Sequence, residues 1–151
     1  MDSTRSVRMD EETRKEFLGT GGTGVLSAGS GPDDPPYSLP VSYGYDTVED
    51  DLYFRLAFSP ESEKPTKLAD RTPVSFVVHR QTDDGWRSVV ARGRLEEVTE
   101  AAIDSGVVQA MQRIHIPLVD VFERHPRELA FRFFRLARSE VSGRTEARTA
   151  D

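Results

Sequence analysis

Two stretches of the chain alternate strictly between apolar and polar positions. Tyr37, Leu39, Val41, Tyr43 and Tyr45 are interleaved with Ser38, Pro40, Ser42 and Gly44. Leu52, Phe54, Leu56 and Phe58 are interleaved in the same way with Tyr53, Arg55, Ala57 and Ser59. A period of two places each set on one face of a strand. The polar, acidic run 46–51 between the stretches predicts a turn, so together they predict a hairpin. One face of that hairpin is apolar. The other carries small and polar groups with Arg55 among them.

The same reading extends along the chain. Residues 10–18 predict a short helix, with Asp10 as its cap, Glu11 and Glu12 at its positive end and Gly19 as its stop. Gly19, Gly21 and Gly24 match the spacing of a dinucleotide-binding fingerprint. That motif needs a strand before it and a helix after it, and here the order is reversed. The run is therefore expected to be a flexible turn leading into a strand at 25–28. Residues 74–79 and 86–98 predict a second hairpin, turning at 81–85, with Gly93 marking a bulge or a close backbone approach. Ile103, Val107, Met111 and Ile114 recur at helical spacing, which predicts a helix over 99–113. Pro65 and Pro117 suit the first positions of short helices over 66–70 and 117–122. Residues 129–136 return to strand character. Short strands linked by hairpins favour an antiparallel barrel over a parallel sheet. The expected fold is mainly β (α+β), with a few short helices. The expected organisation is a flexible N-terminus at 1–9, a single domain at 10–144 and a disordered tail at 145–151.

Composition narrows the function. The 151 residues carry 20 Lys plus Arg against 26 Asp plus Glu, a net charge of −6, which argues against a general nucleic-acid surface. The absence of cysteine removes disulfides, thiolate metal sites and a cysteine nucleophile together. No apolar run suits a signal peptide or a membrane span, so a cytoplasmic location is expected. His79, His115 and His125 have no metal-ligand spacing and no nucleophile elbow beside them.

An anion site is better supported. Lysine occurs only at Lys15, Lys64 and Lys67, so two of the three lysines fall just past the second strand of the first hairpin. Arg55 and Ser59 share the polar face of that strand, and a helix start at Pro65 and Thr66 would add free N–H groups. A guanidinium fork, point-charge ammonium groups and a hydroxyl form a coherent phosphate cradle. Trp86, the only tryptophan, opens a strand that also carries Ser88, and suits either a ring-stacking position or a core anchor.

The ordered set of pieces resembles the pyridoxamine 5′-phosphate oxidase-like split β-barrel proteins, in particular the small nitroimidazole-resistance-type branch. The pieces are residues 24–28, 40–45 and 52–55, then Lys67-Leu68, then 74–78, 86–93 and a late strand with tail at 131–143. The resemblance implies an antiparallel split β-barrel that forms a homodimer with FMN at the subunit interface. By analogy, Arg55, Ser59, Lys64 and Lys67, with Leu68 beside them, hold the phosphate. Pro40, Val41, Ser42 and Tyr43 face the ring through backbone groups and the Ser42 hydroxyl. Trp86 and Ser88 close the site, from the other subunit in one version. The implied activity is FMN-dependent oxidoreduction of a small-molecule substrate, with NAD(P)H as a possible donor. A flavin carrier or sensor without turnover, and a deazaflavin (F420) reductase, are the alternatives on the same fold. The end of the chain lacks the basic and histidine groups that vitamin B6 oxidation uses in the oxidase proper.

Overall fold

The computed structural model describes residues 3–58, 68–69, 71–98, 109–110 and 130–149. In chain order the elements are β1 (Ser3–Arg8), α1 (Glu11–Leu18), β2 (Gly21–Ala28), β3 (Tyr37–Asp46), β4 (Asp51–Phe58), β5 (Pro73–Thr82), β6 (Gly85–Val98) and β7 (Ala130–Thr149). The strands form one antiparallel sheet in the order β1-β7-β4-β3-β2-β5-β6, and a further β6–β7 pairing closes it. Strands β2 to β7 thereby make a six-stranded barrel. Closure removes the open edges that would otherwise template aggregation.

Alternation explains the inside of the barrel. Leu26, Tyr43, Phe54, Phe76, Leu95, Phe134 and Leu136 point inward, each at most 1% exposed. The register sets Leu26 opposite both Leu39 and Phe76, and Tyr43 opposite Phe54. The Phe76 ring meets those of Tyr43 and Phe54 edge-on, at centroid distances of 5.4 and 4.7 Å. Each such ring removed from water contributes about 1.5–3 kcal/mol.

Helix α1 docks against this core. Asp10 caps it as expected, accepting from the Thr13 N–H at 2.8 Å, and Gly19 ends it. Phe17 and Leu18 are buried in the core. Their carbonyls lie in the last turn, where a helix lacks internal donors. The Tyr43 hydroxyl donates to the Leu18 carbonyl at 2.9 Å, and the Arg80 guanidinium donates to that of Phe17 while stacking over its ring.

Several expectations change. The glycine run is not a flexible turn. Gly21 to Gly24 belong to β2 and pair with β3. A Cβ on Gly24 would lie 2.6 Å from both the Phe76 ring and the Val77 carbonyl, so glycine there admits a neighbouring strand and its aromatic. Both chain ends, read as unstructured, are paired strands: Ser3–Arg8 runs antiparallel to the far end of β7, from Thr149 back to Arg144. Residues 68–69, placed in a helix by the sequence, are not helical. The Ala69 N–H donates to the Thr72 hydroxyl and the Thr72 N–H to the Ala69 carbonyl, both at 3.2 Å; a threonine side chain competes with helical bonding in this way. Of the helix expected over 99–113, residues 109–110 are helical; its remainder, and that expected over 117–122, lie outside the described residues.

Candidate functional site

The outer face of β3, β2, β5 and β6 is organised in rows, because directly paired residues project to the same side. One row is apolar: Pro40 opposes Val25, Val25 opposes Val77, and Val77 opposes Val90. Val25 is 36% exposed, so this band is open. On one side of it, Ser42 opposes Thr23 across β2 and Arg55 across β4. On the other side Ser38, Ser27, Ser75 and Arg92 form a second polar row, tied by a 2.7 Å hydrogen bond between the Ser27 and Ser38 hydroxyls. A flat apolar strip bordered by hydroxyls and a guanidinium on each side can receive a planar ring with an anionic chain.

The structure brings Ser42 and Arg55 together as direct cross-strand partners, with Ser42 buried and Arg55 half-buried. Pro40 is exposed on the same face, one row away. Val41, Tyr43 and Leu68 belong to the core. Their side chains support the wall and do not line it, so Val41, Tyr43 and Leu68 can meet a ligand only through main-chain groups. Ser59, Lys64 and Lys67 lie outside the described residues. Trp86 and Ser88 lie on β6, three strand spacings or roughly 14 Å from β3 along the sheet, and do not adjoin Ser42 within one subunit. Trp86 is 51% exposed and therefore is not a core anchor.

Sequence reading missed His79. It opposes Ser88 across the second hairpin, and its ring lies 6.0 Å from that of Trp86, tilted by 36°. The two rings and the Ser88 hydroxyl form an exposed aromatic platform. The signal was available in the alternation of 74–79, which sets His79 on the face of Val77.

Beyond Ser42 and Arg55 the face turns charged. Asp46 opposes Asp51, and Tyr53 opposes Gly44 and Arg135. Arg135 pairs with Glu96. Burial raises the Asp51 carboxyl above its ordinary value, against the pull of Arg135 and Arg138. Burial likewise raises the Tyr53 phenol, with Asp51 adding to it. In the adjoining β3–β4 turn, the Asp50 carboxylate lies 2.7 Å from both Arg14 and Arg138 and accepts from the Tyr45 hydroxyl. Burial alone would raise Asp50, but the Tyr45 hydrogen bond and the two arginines hold it below its ordinary value. Among the described residues, no group of three or more acidic or histidine side chains is placed to hold a metal, and no helix is long and apolar enough to cross a membrane.

Comparison with known proteins agrees with this architecture. A structure of an FAD-binding protein from Mesorhizobium loti is 26% identical with a TM-score of 0.66, over 96% of this chain and 99% of that one. An FAD-binding protein from Mycobacterium smegmatis superposes with a TM-score of 0.65 at 13% identity, over 93% and 98% of the two chains. A protein from Bacteroides thetaiotaomicron described as a 5-nitroimidazole antibiotic resistance protein gives 0.57 at 15% identity, over 99% and 93%. No curated protein sequence matches the chain. The family model for pyridoxamine 5′-phosphate oxidase matches residues 10–145, which spans the barrel from the cap of α1 into the paired end of β7. The chain belongs to the pyridoxamine 5′-phosphate oxidase-like family of split β-barrel proteins.

Proposed function

We propose that the protein is a flavin-dependent oxidoreductase, a cytoplasmic homodimer with FMN as its cofactor. The observation that carries this reading is the outer face itself. An open apolar band, Pro40 to Val90, lies beside a row in which Ser42 and Arg55 are direct partners. Two similar structures are of proteins described as FAD-binding, which supports a flavin as the class of ligand. A flavin, when bound, supplies hydride or electron exchange that no side chain can perform.

The residues of this chain then have defined tasks. Arg55, with Ser59, Lys64 and Lys67, neutralises the phosphate; a fork and point charges suit a phosphomonoester. The Ser42 hydroxyl hydrogen-bonds the polar edge of the ring, and the Val25 and Val77 side chains exclude water beneath it. Trp86 and Ser88 are too far from Ser42 to complete the same pocket within one subunit, so the partner's copy of this hairpin closes it, and the His79–Trp86 platform stacks on the ring or on the incoming substrate.

Assaying NADH and NADPH oxidation with added FMN and common acceptors tests the reading. A rate that needs both protein and FMN is expected, from a species that sediments as a dimer. Absence of any FMN-dependent rate would reduce the protein to a flavin carrier. A rate only with the deazaflavin F420 would replace the cofactor, and a monomer at full flavin occupancy would contradict the shared site. FAD in place of FMN is the second reading, favoured by the same two structures.

A further inference from the structure

At the end of the outer face away from Arg55, a groove of 460 Å³ is lined by Ser27, Ser75, Arg92, Arg94 and Ser139, among others. That volume is in the range of small-molecule sites. The groove coincides with a break in the barrel ladder. Gly93 opposes Arg138 and Arg92 opposes Glu140, so Ser139 is the extra residue of a bulge in β7. A Cβ at Gly93 would lie 2.2 Å from the Ala137 carbonyl, so the strands meet here as only glycine allows. Bulges re-aim side chains and recur beside functional sites.

Two arginines border this break. Arg92 and Arg94 are both exposed, and alternate about Gly93 so that both project outward, about 7 Å apart along the strand. Arg94 spends one N–H on the Arg71 carbonyl at 3.0 Å, out of the five a guanidinium carries. The Arg92 guanidinium is 4.0 Å from the Glu140 carboxylate, and both side chains are more than 60% exposed, so the pair is loose and weak. Ser75 stands directly opposite Arg92, and the Ser139 hydroxyl donates to the Arg92 carbonyl at 3.3 Å. In a chain of net charge −6, two guanidinium forks with neighbouring hydroxyls form a local positive field against a negative background.

We propose that this groove is a second anion site, which takes the phosphate or diphosphate group of a nucleotide. Two forks at this spacing match two adjacent phosphoryl groups better than a single carboxylate. The site shares the outer face with the apolar band, one row away, so a dinucleotide could span from band to groove. The two phosphates of a dinucleotide flavin are bonded directly to each other, so a flavin anchored at Arg55 would not reach this groove, and the source of the phosphate is the nicotinamide donor.

Calorimetric titration at fixed ionic strength, with inorganic pyrophosphate and ADP as probes, tests the site on the wild type and on the Arg92→Ala/Arg94→Ala double variant. Saturable binding to the wild type is expected, weakened at least about tenfold in the variant. Titrating FMN, FAD and NADPH in parallel identifies the source. A loss for NADPH alone assigns the groove to the donor, and a loss for either flavin places the flavin phosphate here and not at Arg55. Equal binding of pyrophosphate and ADP to both proteins, or no saturable binding to the wild type, overturns the proposal. A protein that binds pyrophosphate through these arginines but no flavin would remove the oxidoreductase reading and leave this site standing.

Discussion

Replacing Asp50 by asparagine isolates one charge at a junction of four elements. The residue has φ 60°, a left-handed conformation that Asn tolerates about as well as Asp, so the backbone is not strained by the change. The carboxylate joins Arg14 of α1, Tyr45 of β3 and Arg138 of β7 to the β3–β4 turn. Both arginines contact Oδ2, each at 2.7 Å. An amide can keep the Tyr45 bond through its oxygen, but then presents NH₂ to two guanidinium groups. Two charge-assisted bonds are lost, each worth about 1.5–3 kcal/mol. Arg138 is 34% exposed and is resolvated, whereas Arg14 is only 15% exposed and its Nε already lacks a partner. Discounting for that screening, the expected loss is about 2–4 kcal/mol, read by urea denaturation followed by circular dichroism. The pH dependence supplies a second check. The native carboxyl is held below its ordinary value. Its contribution is therefore complete above the unfolded value, about 3.9, and disappears as pH falls through the lower native value. The gap between wild type and variant should be constant near neutrality and shrink below about pH 4. A gap under about 0.5 kcal/mol at pH 7, or one that survives acidification, would refute the reasoning.

Three further outcomes follow from the geometry. Gly24→Ala forces a Cβ to within 2.6 Å of the Phe76 ring and the Val77 carbonyl; overpacking of this kind should cost about 1–3 kcal/mol, and an unchanged urea midpoint would show that β2 and β5 do not approach so closely. Tyr43→Phe strands the Leu18 carbonyl and should cost about 1–3 kcal/mol, with hydrogen exchange accelerating in α1 before the barrel; uniform acceleration would deny that this bond anchors the helix. Arg55→Ala should weaken FMN binding by roughly 1.5–3 kcal/mol while keeping the wild-type circular dichroism spectrum, and an unchanged dissociation constant would remove Arg55 from the phosphate cradle.

Much of the barrel could be read from the chain because its strands are buried on one side only. The alternations at 37–45 and 52–58 and the apolar run at 74–78 mark β3, β4 and β5 directly, and they also put Ser42 and Arg55 on one face. That the two are direct partners depends on the register of the 46–51 turn, which alternation alone does not set. Strand β1 was invisible because Val7 is its one apolar residue; it is a strand through its pairing with β7. The end of β7 was hidden for the same reason, since residues 142–149 have no apolar side chain larger than the Ala147 methyl. Glycine's poor strand propensity disguised the start of β2, where the packing of Phe76 overrides propensity. Gly93 was legible as a close approach, but the arginines flanking it gained meaning only when β7 slipped by one residue against β6, a contact between segments more than 40 positions apart.

The central claim is that this barrel's outer face carries a flavin. Absorbance spectroscopy after reconstitution tests it most directly: the purified protein is incubated with FMN or FAD, desalted, and its visible spectrum recorded against the free flavin. Retained flavin bands, stoichiometric with the chain and accompanied by quenching of Trp86 fluorescence, are the predicted result. A colourless protein after desalting, with Trp86 emission unmoved by either flavin, would contradict the account.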